Sequence, residues 1–291
     1  MALLMDKSTI VLITGCSSGI GRILLSLFDQ DPYRIVATTL PDSIDAFDGD
    51  PIIESERIWI RKLDVADYEK ASRIVRETAE RWGPIDILIN NAGIAYRSVV
   101  EDMTIEDEQR QLQVNYLGPM HLIRECLPAM RERKSGRIIN ISSVGGMMAM
   151  PTMASYSGSK FALEGASESL WYELKPWNIN TTLVQPGFIN SLAFRKVLYS
   201  TKRLSQTQAS PYDSHYNYMT RFVEKLMTLS PCTSETVART IFKVARKKNP
   251  PLRVPGTIDA RIFYFIRRLL PRALYHKLLY ISLPGIRHWG K

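Results

Sequence analysis

The sequence has no long hydrophobic run. No stretch reaches the roughly 18 consecutive apolar residues that a membrane-crossing helix needs, so no spanning helix is expected. Cysteine is scarce: Cys16, Cys126 and Cys232 lie far apart, are odd in number and lack metal-ligand spacing. That pattern excludes a disulfide framework and favours a reducing compartment. Histidine is scarce as well; His121, His215, His276 and His288 are dispersed and form no ligand set, so no metal is expected. The opening MALLMDKSTIVLITG has neither a basic leader region nor a cleavage site, and no secretory leader is expected. Internal repeats and low-complexity segments are also missing. A cytoplasmic protein is the expectation.

What is present is ordinary in bulk and unusual in distribution. The 291 residues are 45% hydrophobic and 23% charged, enough for one large α/β domain or two small ones. The net charge of +9 is unevenly placed. Residues 236–291 hold 13 Lys/Arg against one acid, Asp259, while the rest holds 25 basic and 28 acidic residues. A basic C-terminal fifth therefore follows a nearly neutral body.

Along the chain, strand and helix signals alternate. Short apolar, β-branched runs at 8–14, 34–39, 57–65, 85–93, 136–143 and 179–187 read as buried parallel strands. Helical patterns fall at about 20–30, 67–82, 105–133 and 154–175. A polar loop with Pro41, Asp42, Asp48, Gly49 and Asp50 follows the second strand. This order predicts a Rossmann-type, doubly wound α/β fold: a parallel sheet with helices on both faces, in one domain over 1–260. Residues 188–235 break the rhythm with Phe188, Phe194, Tyr199, Tyr212, Tyr216, Tyr218 and Phe222. An insertion of this length reads as a substrate lid, or as a helical pair that finishes the core.

The first strand runs into TGCSSGIG, residues 14–21. Gly15, Gly19 and Gly21 allow a tight turn, close ligand approach and tight packing of helix on sheet. The following helix offers free N–H groups and a positive dipole end to a diphosphate. Placed between a first strand and a helix, the triplet is a strong dinucleotide signal. Cys16 within it reads as a small packing residue rather than a reactive thiol. The second strand ends Ala37, Thr38, Thr39, Leu40, without the acid that grips ribose hydroxyls in NAD sites. An arginine to attract a 2′-phosphate is missing at Leu40, and Ser18 is neutral. The balance favours NADP(H) over NAD(H).

Residues 156–160 read YSGSK. On a helix, positions i and i+4 share a face, so Tyr156 and Lys160 point the same way. Taken alone, the pair could be a polar couple on a surface helix.

Six motifs in order decide between these readings: TGCSSGIG, NNAG (90–93), Asn115 in QVNYLG, ISS (141–143), YSGSK and QPG (185–187). Together they resemble the short-chain dehydrogenase/reductase family of the classical type over residues 9–191, nearest to the steroid (estradiol-type) and retinol dehydrogenases. The resemblance implies Tyr156 as acid/base, Lys160 as its partner and Asn115 as the holder of a water relay. Its serine lies 13 residues before the tyrosine, which selects Ser143 and leaves Ser142 in reserve. The implied cofactor contacts are Thr14, Gly15, Ser17, Ser18, Gly19, Ile20, Gly21, Thr39, Asp64, Val65, Asn91, Ala92, Gly93, Pro186, Gly187 and Ile189, with Tyr156 and Lys160. Asp64 would meet the adenine amino group, though it could instead cap a helix. Asn90 belongs to the turn along the cofactor, and Ser191 keeps a hydroxyl where the family often has threonine. A free phenol titrates near pH 10, and a nearby lysine cation is expected to lower that value.

The tail, RIFYFIRRLLPRALYHKLLYISLPGIRHWGK (261–291), carries seven Lys/Arg and no acid. Ile262, Phe263, Phe265, Ile266, Leu269 and Leu270 form a helical stripe stopped by Pro271, and Leu274, Leu278 and Leu279 mark a second short helix. The tail reads either as an amphipathic extension touching an anionic membrane surface or as a helical pair packed on the body. Nucleic-acid binding is disfavoured, because the basic residues are interleaved with large aliphatics.

The expected function is a hydride transfer between NADP(H) and an alcohol or carbonyl carbon of a hydrophobic small molecule. The alternatives are a sugar-nucleotide epimerase, or a non-catalytic cofactor sensor or lipid-surface binder. The resemblance also implies pairing through the helices at about 105–133 and 154–175, and with it a homodimer or homotetramer.

Overall fold

A computed structural model describes residues 9–43, 54–190 and 197–290. Seven parallel strands form one sheet: β1 (Ile10–Ile13), β2 (Arg34–Thr39), β3 (Ile58–Lys62), β4 (Ile87–Asn90), β5 (Gly136–Ile141), β6 (Ile179–Gln185) and β7 (Arg253–Pro255). Their order is β3-β2-β1-β4-β5-β6-β7. The order reverses between β1 and β4, which opens a cleft at the strands' carboxyl ends, where ligands of such sheets bind. This is the single-domain, Rossmann-type sheet that the strand-helix alternation predicts.

The helices in chain order are α1 (Gly19–Asp29), α2 (Tyr68–Arg81), α3 (Ile105–Leu112), α4 (Gly118–Glu132), α5 (Ala154–Leu174), α6 (Thr201–Leu204), α7 (Asp213–Leu229), α8 (Ser234–Arg246), α9 (Ile258–Leu269) and α10 (Arg272–Ser282). Each sheet face has its own core. Leu24, Leu25 and Phe28 of α1 pack with Val237 and Ile241 of α8 on one face. Ile74 of α2, Leu122 and Ile123 of α4, and Leu170 and Leu174 of α5 fill the other. Strands buried on both faces need continuous apolar runs, and β1 and β4 are buried at every position.

Four details differ from the sequence reading. The stretch 105–133 is not one helix: α3 and α4 are joined by a π-helical turn over Gln113–Leu117, which contains Asn115. Such turns cluster at functional sites. Strand β7 is three residues long and ends on Pro255, too short to show a period and placed at an edge, where proline is tolerated. The basic run after residue 236 conceals α8, whose start is fixed by a capping box between Thr233 and Thr236. The boundary expected at 260/261 falls inside α9, whose N-cap is Thr257. Ser191, Phe194, Asp48, Gly49 and Asp50 lie outside the described residues.

Candidate active site

The glycine turn lies at the switch point. Gly15 has φ +74°, open to glycine at little strain, and a Cβ there would come within 2.9 Å of the Ala92 Cα. A Cβ on Gly21 would run into the Gly15 carbonyl. The β4 turn locks onto this one: the Thr14 hydroxyl accepts from the amides of Asn91 and Ala92 at 3.0 Å each, and Asn91 Nδ2 donates to the Thr14 and Gly15 carbonyls at 2.8 and 3.1 Å. Ser18 is the N-cap residue of α1, in extended backbone, and Ile20 packs against the core from the first turn. Ser17 sits half-buried in the turn. The cradle fits a dinucleotide diphosphate: a Cβ on Gly19 at the helix N-terminus would meet nothing within 4 Å, so the turn leaves open space before the helix amides. Cys16 faces inward, fully buried, and burial pushes its thiol up to about 12. It is a packing residue.

At the adenosine end, the Thr39 hydroxyl is buried without a hydrogen-bond partner among the described residues, and Leu40 is exposed. Asp64 does not cap α2; Asp67 does, accepting from the Lys70 amide at 3.0 Å. Asp64 instead accepts from the Ala66 amide at 3.0 Å and from Arg110 of α3 at 2.6 Å. Val65 is buried beside it, with its carbonyl against Gly118.

The chemistry-bearing residues converge from three elements. Ser143 follows β5 and caps a 3₁₀ turn, its Oγ accepting from the Gly145 amide at 3.0 Å. Tyr156 lies in the first turn of α5 and hydrogen-bonds Ser143. The Ser142 hydroxyl is buried and has no such contact among the described residues. Lys160, one turn on, is buried; its Nζ donates to the Ile141 carbonyl at 2.9 Å and stands 5.9 Å from the Tyr156 ring centroid. Asn115 is buried in the π turn, bonds both backbone groups of Ile94 at 2.9 Å and donates to the Ser159 hydroxyl at 3.1 Å. Gly93 leaves room between Asn115 and Lys160, where a Cβ would lie 3.3 Å from Asn115 Oδ1.

The electrostatics differ from the expectation that Lys160 lowers the phenol. Burial raises Tyr156, and the Ser143 hydroxyl is what opposes that rise. Burial also brings Lys160 down to about 8, with Glu164 pulling the other way. The ammonium is directed at Ile141 rather than at the phenol oxygen, and its own desolvation weakens it as a charge.

Sequence reasoning missed the supports of this site. Glu164, one turn beyond Lys160, is buried and accepts from Gln185 at 2.9 Å and from Arg253 of β7 at 2.9 Å. Arg253 also reaches Glu168 at 2.6 Å. The spacing from Lys160 carried this signal, but its cation lay on a strand that left no pattern. Past β6, Pro186 accepts from the Val144 amide at 2.7 Å, the Gly187 amide donates to Thr257 Oγ1 at 2.8 Å, and the Phe188 amide donates to Asp259 Oδ2 at 2.8 Å. A Cβ on Gly187 would collide with that carboxylate. Ile189 packs on the core beyond it. Asp259 was visible as the lone acid of the basic fifth; its partner was not.

The 188–235 segment supplies α6 and α7. The latter is anchored by Tyr216, which donates to buried Asp102 at 2.8 Å and accepts from the Val99 amide at 2.9 Å. The tail helices pack through Phe263, Ile266, Leu270 and Tyr275 on Val144, Met147 and Met148, the residues that follow Ser143. Among the described residues, no helix is long and apolar enough to cross a membrane.

Known proteins agree with this geometry. Residues 9–201 match the short chain dehydrogenase family. A 3-ketodihydrosphingosine reductase of Bacteroides thetaiotaomicron is 32% identical over 246 residues, covering 84% of this chain and 86% of the relative. An uncharacterised oxidoreductase of Bacillus subtilis is 31% identical, covering 93% and 96%. The crystal structure of a short-chain dehydrogenase from Streptomyces avermitilis superposes with a TM-score of 0.79 at 28% identity, covering 94% and 98%. These relatives are consistent with the expected nearness to steroid and retinol dehydrogenases. The chain belongs to the short-chain dehydrogenase/reductase family, the NAD(P)-dependent oxidoreductases that act on CH–OH or C=O groups.

Proposed function

We propose that this oxidoreductase prefers NADP(H) and acts on the carbonyl or alcohol carbon of a hydrophobic substrate, steroid-, retinoid- or lipid-like. The observation that carries the reading is the convergence of Ser143, Tyr156 and Lys160 at the carboxyl end of β5, facing the β4 turn at Gly93. A relative named for reducing 3-ketodihydrosphingosine supports the oily substrate class.

When bound, a nicotinamide would supply or accept the hydride. Ser143 donates to the substrate oxygen and holds it beside Tyr156. Tyr156 gives that oxygen its proton during reduction and takes it back during oxidation. Lys160 would hold the cofactor ribose, and Asn115 fixes the π turn through which water would resupply the proton. The turns Thr14–Gly15–Ser17–Ser18–Gly19–Ile20–Gly21 and Asn91–Ala92–Gly93 would hold the diphosphate and ribose, and Pro186, Gly187 and Ile189 would flank the nicotinamide. Thr39, Asp64 and Val65 flank the adenosine. Among the described residues Thr39 is unpartnered and no carboxylate ends β2 to repel a 2′-phosphate, which favours NADP(H). Asp64, held by the Ala66 amide on one oxygen and by Arg110 on the other, would meet the adenine amino group through a remaining lone pair. The segment 188–235 serves as lid, residues 261–291 touch a lipid surface, and the protein is a cytoplasmic homodimer or homotetramer.

Nicotinamide fluorescence on titration with NADPH and NADH, followed by turnover on retinal, steroid ketones and acyl ketones, tests the reading. Tighter NADPH binding with oxidation by one oily carbonyl is expected. Equal or weaker NADPH binding removes the cofactor preference, and turnover confined to small polar carbonyls removes the substrate class.

A further inference from the structure

The tail helices α9 and α10 face two ways. Inward, Phe263, Ile266, Leu270, Tyr275 and Leu279 join the cluster behind Ser143. Outward, α9 shows a second apolar stripe, Ile258, Ile262, Phe265 and Leu269, at spacings of four, three and four residues along one helix face. These side chains are 62, 53, 53 and 77% exposed. On α10 the outward residues Leu274, Leu278 and Ile281 repeat the spacing, and Ile281 is 61% exposed. A helix pair that only completes a core needs one apolar face, and here each helix has two. Contiguous exposed apolar surface of this kind marks an interaction site.

The charges select the partner. Arg261, Arg268 and Lys277 are exposed beside these stripes. Arg268 leans over the Tyr264 ring at 4.5 Å and feels Glu168 of α5. Arg261 and Lys277 form no ion pair among the described residues. Residues 261–291 contain no acid at all. A second copy docking isologously would set this face against itself, cation to cation, with no carboxylate from the tail to answer them. An anionic bilayer supplies hydrocarbon for the leucines and phenylalanine and negative headgroups for the arginines and lysine.

We infer that the outward face of α9 and α10 docks the protein on the surface of an anionic membrane, with Ile262, Phe265 and Leu269 in the acyl boundary and Arg261 and Lys277 among the headgroups. This deepens the proposed function, since a bilayer is where an oily substrate collects. It rests on the lipid contact proposed above for residues 261–291 and adds which residues enter which layer; because docking is measured without turnover, its failure is distinguishable from failure of the catalytic reading.

The test is flotation of the full-length protein with vesicles of phosphatidylcholine alone and of phosphatidylcholine mixed with phosphatidylserine. Association with the mixed vesicles, weakened by added salt, is expected. Phe265→Glu with Leu269→Glu should abolish it while cofactor binding persists. Arg261→Ser and Lys277→Ser alter only exposed charges, and each should weaken partitioning roughly fivefold. The inference is overturned if the wild type floats with neither vesicle, floats equally with both, or floats unchanged after all four substitutions. A drop in mass by light scattering on Phe265→Glu, without wild-type flotation, would assign the face to a contact between copies instead.

Discussion

Helix α5 and helix α9 depart from the ordinary amphipathic pattern in opposite directions. The first buries Ser155, Ser157, Ser159, Lys160, Glu164 and Ser167, while the second exposes Ile258, Ile262, Phe265 and Leu269. Burying polar groups is unfavourable unless each finds a partner, and on α5 several partners are specific: Ile141 for Lys160, Asn115 for Ser159, Asn140 for Ser167, and Gln185 and Arg253 for Glu164. Exposing apolar groups is unfavourable unless something covers them, and on α9 nothing among the described residues does. The first inversion is resolved inside the molecule and builds chemistry; the second is left for a surface outside it.

Substitutions can break each side of this contrast. The largest effect is expected from Tyr156→Phe, which removes the proton donor while keeping the ring: turnover should fall by about 10²-fold or more with nicotinamide binding retained. Persistent turnover in stopped assays would remove Tyr156 from the chemistry. Arg253→Met comes next. It leaves the buried Glu164 carboxylate without its cation, and urea unfolding should show a loss of about 3–5 kcal/mol. The exposed Arg239–Glu235 pair on α8, at 2.7 Å, is the control, with about 0.5 kcal/mol or less at stake.

The lysine adds a pH signature. Lys160 titrates at about 8 in the fold against an ordinary 10.5, so between these values the unfolded chain binds the extra proton. Wild-type stability should therefore rise with pH relative to Lys160→Met across that window, by on the order of 3 kcal/mol, read from urea midpoints on either side of it. A constant difference would mean that the amine is not desolvated.

Two smaller effects sharpen the α9 side. Asp259→Asn keeps the shape but weakens the acceptor for the Phe188 amide. A loss of about 1 kcal/mol in stability is expected, together with weaker nicotinamide binding; unchanged cofactor affinity would make the contact purely structural. Leu269→Ser should shift thermal stability by no more than about 0.5 kcal/mol, because the side chain is solvent-exposed. A large loss would show that the face is packed after all.

The legible parts of the fold were those where local pattern and tertiary role coincide. Buried parallel strands must be apolar throughout, so β1, β2, β4, β5 and β6 stood out, and a phosphate cradle must be bare, so TGCSSGIG did too. The spacing of Tyr156 and Lys160 fixed their common face. The illegible parts depend on contacts between distant segments. β7 is held by pairing with β6, not by its own three residues. The π turn at Asn115 is tied to Ile94 and to Ser159 of α5, and it has no sequence period. Asp259 and Thr257 meet residues 187 and 188 only because the chain returns across the sheet. The phenol's environment also escaped the sequence, since burial outweighed the charge that the lysine spacing suggested.

The grip of Thr257 and Asp259 on residues 187 and 188 bears on how this protein can be shortened. Trimming the chain at 260 would leave both residues on a single unsupported turn, and isolated turns of helix do not hold. The loop at residues 187 and 188 would lose its brace along with the tail. An engineer who wants a variant without the oily outer face should therefore recolour it, replacing Ile262, Phe265 and Leu269 with polar residues, and leave the length of the chain alone.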